Sequence, residues 1–221
     1  MSHVSMTRYL PCQLLFAAAM LAQSKVPIEN DQVKVIDAYQ KPHVRTDLHE
    51  HKFNRVMIYE QAGRQEFLDL TKKPYNISFK AGEVLWSPSG GKHMAEIISE
   101  NPVPIIEIEI KKAGNPSSLV PGPLDPVKVD PKHYKVELEN DQVRVLRVTI
   151  GPHESTPLHK HEVNRVVTYL TEQNFRITPH GGKPEIAKHS PGEVSWGTPA
   201  THKEENLSDK PFEAIVTELK N

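Results

Sequence analysis

The chain has 221 residues and a formal net charge of −1, enough length for one large or two small packed cores. Near-neutral charge and the lack of a basic stripe exclude the electrostatic footprint of a nucleic-acid-binding protein. Aromatics are few, prolines number 19, and short alternating or β-branched runs replace any long helical period, so the pattern is that of a turn-rich all-β protein.

The first residues read as a targeting segment. Arg8 precedes an apolar stretch from Leu14 to Ala22, and Ala22 and Ser24 are small residues at the spacing a signal peptidase reads. The stretch is too short to span a bilayer comfortably. We expect a signal peptide over residues 1–24, a periplasmic or secreted mature chain and no membrane insertion of that chain. The alternative is a mis-assigned start or a disordered amphipathic tail, and then a cytoplasmic protein. Cys12 is the only cysteine and lies in this segment, so a mature chain has no disulfide, thiolate ligand or cysteine nucleophile.

Strand-like runs begin near Val26. Asn30-Asp31-Gln32-Val33 has turn chemistry and leads into VKVIDAY. After Pro42-His43 comes DLHEHKFNRVMIYE, Asp47 to Glu60, in which His49 and His51 stand one residue apart. On an extended strand, side chains at i and i+2 share a face, so both imidazoles converge on one point. Imidazole suits zinc, iron, copper or nickel, although polar strand ends often carry histidine without a metal. GEVLWSPSGGKH, Gly82 to His93, then supplies a glycine turn, a strand with Trp86, a Pro/Gly turn and a third histidine. The run PVPIIEIEIKK closes the segment. Ala113 to Pro131 is proline-rich and reads as an extended linker.

The same order then recurs. Asn140-Asp141-Gln142-Val143 repeats the first turn, and Pro152-His153 repeats Pro42-His43. PLHKHEVNRVVTYL places His159, His161, Asn164, Arg165, Val166 and Tyr169 at one constant offset from His49, His51, Asn54, Arg55, Val56 and Tyr59. GEVSWGTPATH, Gly192 to His202, is one residue shorter between Trp196 and His202 than its counterpart. We expect two similar antiparallel barrels, residues 25–112 and 132–221, joined by a linker at 113–131.

These motifs resemble those of the cupin superfamily: Gly, His-x-His and a Glu, then Gly, five residues, Pro-x-Gly, two residues, His, three residues, Asn. Gly82, Pro88, Gly90 and His93 fit the second motif without a gap, with Ile97 in place of the Asn. Gly197 and Pro199 fit it loosely in the second copy, where Asn206 follows His202 at the expected distance. Gly151 precedes His159 as the family's first glycine does. The resemblance covers nearly all of Val26 to Asn221 and implies a bicupin, two tandem double-stranded β-helix (jelly-roll) barrels. It also implies that His49, His51 and His93, and His159, His161 and His202, meet inside their barrels around a divalent metal, whether Fe, Zn, Mn, Ni or Cu.

One position departs from the family. Its Glu ligand falls on Arg55 and Arg165, and arginine cannot ligate a cation. Three readings stay open. The histidines hold a metal while the arginine clamps a carboxylate or other anion with its planar fork. Or there is no metal, and histidines and arginine together bind a small anionic ligand. Or the arginine is structural and pairs with an internal acid. Glu204 shares the strand face of His202 and suits Arg165, whereas Ala95 stands at its counterpart and leaves only Glu60 as a weaker partner for Arg55. The third reading therefore predicts a pair in the second copy and a freer Arg55 in the first.

Trp86 and Trp196 read as wall or interface packing, and Asn54 and Asn164 as turn residues. His43 and His153 read as loop residues, and His180 and His189 as exposed. No hydrolase, kinase or glycosidase motif appears. The expected function is a bicupin binding a small anionic molecule with a metal in one or both barrels, an oxygenase if it is an enzyme. The alternative is a non-catalytic, metal-free ligand-binding or structural protein. A homodimer formed through strand edges is compatible with either.

Overall fold

The computed structural model describes residues 24–70 and 72–221, so the expected signal peptide lies outside the described residues except for Ser24. The first half carries β1 (Lys25–Glu29), β2 (Val33–Gln40), β3 (Asn54–Tyr59), β4 (Gly63–Asp69), β5 (Tyr75–Phe79), β6 (Glu83–Ser87), β7 (His93–Ile97) and β8 (Val103–Ile110). The second carries β9 (Tyr134–Glu139), β10 (Val143–Ile150), β11 (His159–His161), β12 (Arg165–Tyr169), β13 (Gln173–Pro179), β14 (Glu185–His189), β15 (Val194–Gly197), β16 (Ala200–Asn206) and β17 (Phe212–Leu219). Each half is a sandwich of two antiparallel sheets. The large sheets run β1-β2-β8-β3-β6 and β9-β10-β17-β12-β15, the same order twice. The small sheets run β5-β4-β7 and β14-β13-β16-β11.

The glycines opening the GEV motifs take the conformation their turns require. Gly82 has φ 75° and Gly192 φ 81°, a region that side chains with a Cβ disfavour. His43 and His153 also adopt positive φ, 55° and 56°, consistent with loop positions. His180 is exposed, and half-buried His189 stacks on Tyr169 with ring centroids 4.1 Å apart.

The two large sheets pack against each other. Val33, Val35, Val56, Ile106, Ile108 and Ile110 share one apolar cluster with Val143, Val145, Val166, Ile215 and Leu219, and Trp86 and Trp196 pack against it. This explains why β8 and β17 are buried along nearly their whole length. One face of each strand meets the other barrel, the opposite face lines its own barrel, and hydrophobic burial drives both contacts. The contact is reciprocal at its edges. Asn54 Nδ2 donates to the Gln142 side chain at 2.5 Å, and Asn164 Nδ2 donates to Gln32 at 3.1 Å. The asparagines read as local turn residues are thus half of a cross-barrel clasp, and the repeated Asn-Asp-Gln turns supply the other half.

Asn206 is 1% exposed, and its Nδ2 donates to the carbonyls of Ile150, Gly151 and Lys210. At the counterpart, Ile97 is fully buried in an apolar cluster. The motif's terminal asparagine is a staple for a loop, so its loss in the first copy is a packing solution and leaves the site chemistry untouched.

The linker is more structured than its prolines suggested. It holds a 3-10 turn at Pro116–Ser118 and a one-turn helix, α1 (Pro126–Val129), capped by Asp125. Proline suits the first helical turn, where its missing N–H costs nothing. Just beyond lies a polar staple on the loop before β11. Glu154 accepts from Lys132 Nζ (2.5 Å), His133 Nε2 (2.9 Å) and the Gly151 N–H (3.0 Å). These bonds, Lys132's above all, hold the Glu154 carboxyl down at about 2. A carboxyl whose folded pKa is depressed contributes stability above its unfolded value near 4.5, and that contribution is lost as pH falls toward 2. Glu154→Gln is therefore expected to lower stability at pH 6 and to flatten the acid limb of a urea-denaturation series. Identical acid limbs in the two proteins would reject this role.

Candidate functional site

Each half brings its three histidines together. Among the described residues, His49, His51 and His93 form one group and His159, His161 and His202 the other, with one ligand nitrogen from each residue lying within 4.8 Å of the others in its group. The backbone causes this. His49 and His93 face each other across an antiparallel bridge, as do His159 and His202, and the His-x-His spacing adds the third ring from the same face. Imidazole nitrogens sit about 2.0–2.1 Å from a bound ion, so nitrogens around one ion are at most about 4.2 Å apart. The triads are nearly closed to that spacing, and three neutral nitrogen donors suit a divalent transition metal.

The second triad is buried, with His159, His161 and His202 at 0%, 3% and 8% exposure. His159 Nδ1 donates to the Pro157 carbonyl at 3.0 Å, which leaves the Nε2 lone pair facing the chamber. Tyr134 lies 3.2 Å from that nitrogen, but its single proton goes to Glu204 at 3.1 Å. His161 Nδ1 donates to Glu218 at 2.9 Å. Glu218 in turn accepts from Arg144 Nε at 2.6 Å, and Arg144 Nη1 pairs with Asp125 at 2.7 Å. Burial alone would push the Glu218 carboxyl up, yet the bonds from His161 and Arg144 outweigh it and hold it below the usual range. Burial lowers the pKa of all three histidines, His202 to about 3. The triad therefore stays neutral, the state that ligates. A carboxylate fixing a histidine through its outer nitrogen is the usual support for a metal ligand.

The first triad is similar in place but not in contacts. His49 Nδ1 donates to the Asp47 carbonyl at 2.7 Å, and His93 Nδ1 lies 3.4 Å from the Gly91 carbonyl. His51 Nδ1 is 3.5 Å from Glu109, the counterpart of Glu218. His51 Nε2, however, accepts from Arg55 Nη1 at 2.7 Å. Burial and the Arg55 charge lower His51 to about 3.

The arginines do not pair as the sequence suggested. Arg55 forms a buried ion pair with Glu107 at 2.6 Å and donates to Ser87 at 2.9 Å. Glu60 takes no part. Arg165 donates instead to the Thr198 carbonyl at 2.5 Å and, among the described residues, has no carboxylate partner. Two substitutions between the copies cause the switch. Strand register sets Glu107 opposite Met57 and Val216 opposite Val167, so Val216 replaces Glu107 in the second barrel. Likewise Ser87 faces Arg55 where Gly197 faces Arg165. A Cβ on Gly197 would lie 2.8 Å from the Arg165 guanidinium carbon, so the glycine opens the path along β15. Glu204 does share the chamber with Arg165 and His202, its carboxylate 3.7 Å from His202 Nε2.

The chambers differ in size and lining. The first encloses about 460 Å³ and is walled by Met57, Phe67, Tyr75, Ile77, Leu85 and Trp86 above the Arg55–Glu107 pair. The second encloses about 230 Å³ and sets Tyr134, His161, Arg165, His202 and Glu204 among apolar side chains such as Ile177, Trp196, Phe212 and Val216. The residues invisible to sequence reasoning are Tyr134, Glu107, Glu218, Arg144 and Asp125. Only the Glu109/Glu218 correspondence left a trace, as an acid repeated near the end of each closing strand.

No family model and no curated protein sequence matches the chain. Solved structures do. AerE from Microcystis aeruginosa superposes with a TM-score of 0.63 at 13% identity, over 90% of this chain and 98% of that one. A cupin 2 conserved barrel domain protein from Leptotrichia buccalis gives 0.57 at 17%, over 91% and 90%. Oxalate decarboxylase from Bacillus subtilis gives 0.61 at 14%, over 86% and 68%, and that enzyme has Mn(II) centres. At such identities the likeness establishes fold alone. The chain carries the cupin fold twice in tandem, with a histidine triad in each copy able to hold a metal ion.

Proposed function

We propose that the protein binds a divalent metal through His159, His161 and His202 and takes a small anionic molecule beside it. The observation that carries this reading is the Arg165 guanidinium: 8% exposed, on the chamber wall and without a carboxylate partner. A buried cation whose carboxylates, Glu204 and Glu218, act on it only from a distance is costly. Adding a divalent ion to three neutral imidazoles raises the local positive charge further, and Glu204 balances only one unit of it. A carboxylate entering the chamber meets both needs, and arginine suits it through bidentate hydrogen bonding. The volume admits a molecule of a few heavy atoms. A metal held there would supply Lewis-acid or oxygen chemistry, of which oxygenase activity is the enzymatic form we favour. The chain's own residues bind the anion (Arg165), orient the ligating rings (Glu218, Pro157) and hold a proton at the Tyr134 hydroxyl. The expected periplasmic or secreted location stays part of the proposal and rests on the Leu14 to Ala22 stretch alone.

Protein prepared without a histidine tag is expected to retain or take up Mn²⁺ in the second barrel and then to bind oxalate. Arg165→Leu should weaken oxalate by about thirtyfold or more, the loss of one charge-assisted hydrogen bond of ~2 kcal/mol, while keeping the metal. Calorimetry reads both steps, and oxygen uptake with small carboxylates tests the oxygenase reading. A protein that binds neither metal nor carboxylate is a non-catalytic, metal-free ligand-binding or structural cupin instead.

A further inference from the structure

The two triads have the same residues, but only the first has a cation seated on one of its inner nitrogens. In the first barrel Arg55 Nη1 sits 2.7 Å from His51 Nε2, the lone pair a metal would need. It is held there from two sides, by Glu107 at 2.6 Å and, through Nη2, by Ser87 at 2.9 Å. Arg55 and Glu107 are 5% and 7% exposed, so water does not loosen the arrangement. The other nitrogen of His51 faces Glu109. In the second barrel Val216 and Gly197 replace the two anchors, and Arg165 turns away to Thr198.

We infer that Arg55 is a resident cation that takes the place of the metal in the first barrel and makes it a metal-free site for an uncharged, ring-bearing organic molecule. The charges of Arg55 and Glu107 cancel, as do those of Lys72 and Asp69, which pair at 3.6 Å on the same wall, so the chamber has no net demand for an anion, and burying an unpaired carboxylate there is unfavourable. Its walls combine the rings of Phe67, Tyr75 and Trp86 with polar groups, among them Gln65, Ser87 and a Lys72–Asp69 pair, and its 460 Å³ lies within the range of small-molecule pockets, ~300–1,000 Å³. The imidazoles of His49 and His93 offer polar groups for a hydroxyl. Metal would then be confined to the second barrel, and this last clause alone rests on the function proposed above.

The test uses the full chain with the second triad silenced by His159→Ala and His161→Ala. The silenced protein is expected to bind no Mn²⁺ by calorimetry or elemental analysis. Adding Arg55→Met with Glu107→Val removes both charges together and strands neither, and should create one Mn²⁺ site that His93→Ala abolishes. The silenced protein should also bind 2-naphthol about tenfold tighter than 2-naphthoate, an anion with the same ring system. Mn²⁺ bound by the silenced protein overturns the inference. So does a folded charge-removed variant, checked by circular dichroism, that binds none, or naphthoate binding as tightly as naphthol. Failure of the second barrel to hold metal would show instead as an intact chain without Mn²⁺, and the comparison within the silenced background would still decide the role of Arg55.

Discussion

Arg144→Ala is expected to destabilise the protein by about 3–5 kcal/mol, the cost of removing one member from a buried ion-pair network. Arg144 is 3% exposed and lies between Glu218 at 0% and Asp125 at 1%. It hydrogen-bonds Glu218 at 2.6 Å and forms an ion pair with Asp125 at 2.7 Å. Truncation leaves two carboxylates buried with one cation fewer, and it also removes the tie between α1 and the closing strand of the second barrel. Arg147→Ala is the matched control. Arg147 pairs with Glu137 and Glu213 and donates to the Gly82 carbonyl, but these groups are partly exposed, so water screens them and the loss is expected to be smaller than for Arg144. Urea midpoints at neutral pH measure both. A loss for Arg144→Ala no larger than that for Arg147→Ala would mean that the network relaxes or hydrates when opened.

Glu218→Gln should lower divalent-metal affinity by about 10–100-fold, the usual effect of losing the carboxylate behind a ligating histidine. The amide keeps the shape of the side chain but gives up the charge that makes His161 a better donor. The counterpart change, Glu109→Gln, should leave metal stoichiometry and affinity unchanged, because the inner nitrogen of His51 is occupied by Arg55. Titration of Mn²⁺ into each variant distinguishes the two. Unchanged affinity in a folded Glu218→Gln protein would show that the carboxylate does not tune His161 as a ligand.

The repeat made the fold and both histidine triads legible, because a His-x-His pair on a strand and a third histidine across a ladder need only periodicity and pairing. The arginine contacts were not legible by the same logic. Glu204 was placed on the correct face by counting two residues from His202, yet counting along one strand says nothing about where a long side chain on another strand will turn. Arg165 turns to Thr198 because Gly197 lacks a Cβ, a fact of inter-strand register. Glu107 was hidden for a different reason. In VPIIEIEI the alternating glutamates look like a solvent face, since charged residues are seldom buried unless paired. The strand is inverted relative to that rule. Its isoleucines at 106, 108 and 110 face the other barrel, and Glu107 and Glu109 face inward. A sheet that is apolar on its outer side reveals itself only when the partner that covers it is known.

The shared core between the large sheets bears on how the two sites came to differ. Two identical subunits meeting through such sheets would be encoded once, so any change in one chamber would appear in the other. With both copies on one polypeptide, the mutual burial of Val33, Ile108, Val145 and Ile215 can be kept while each interior drifts alone. Glu107 against Val216 and Ser87 against Gly197 are the record of that freedom. A duplicated gene thus holds one scaffold constant and lets two chambers take up separate chemistries.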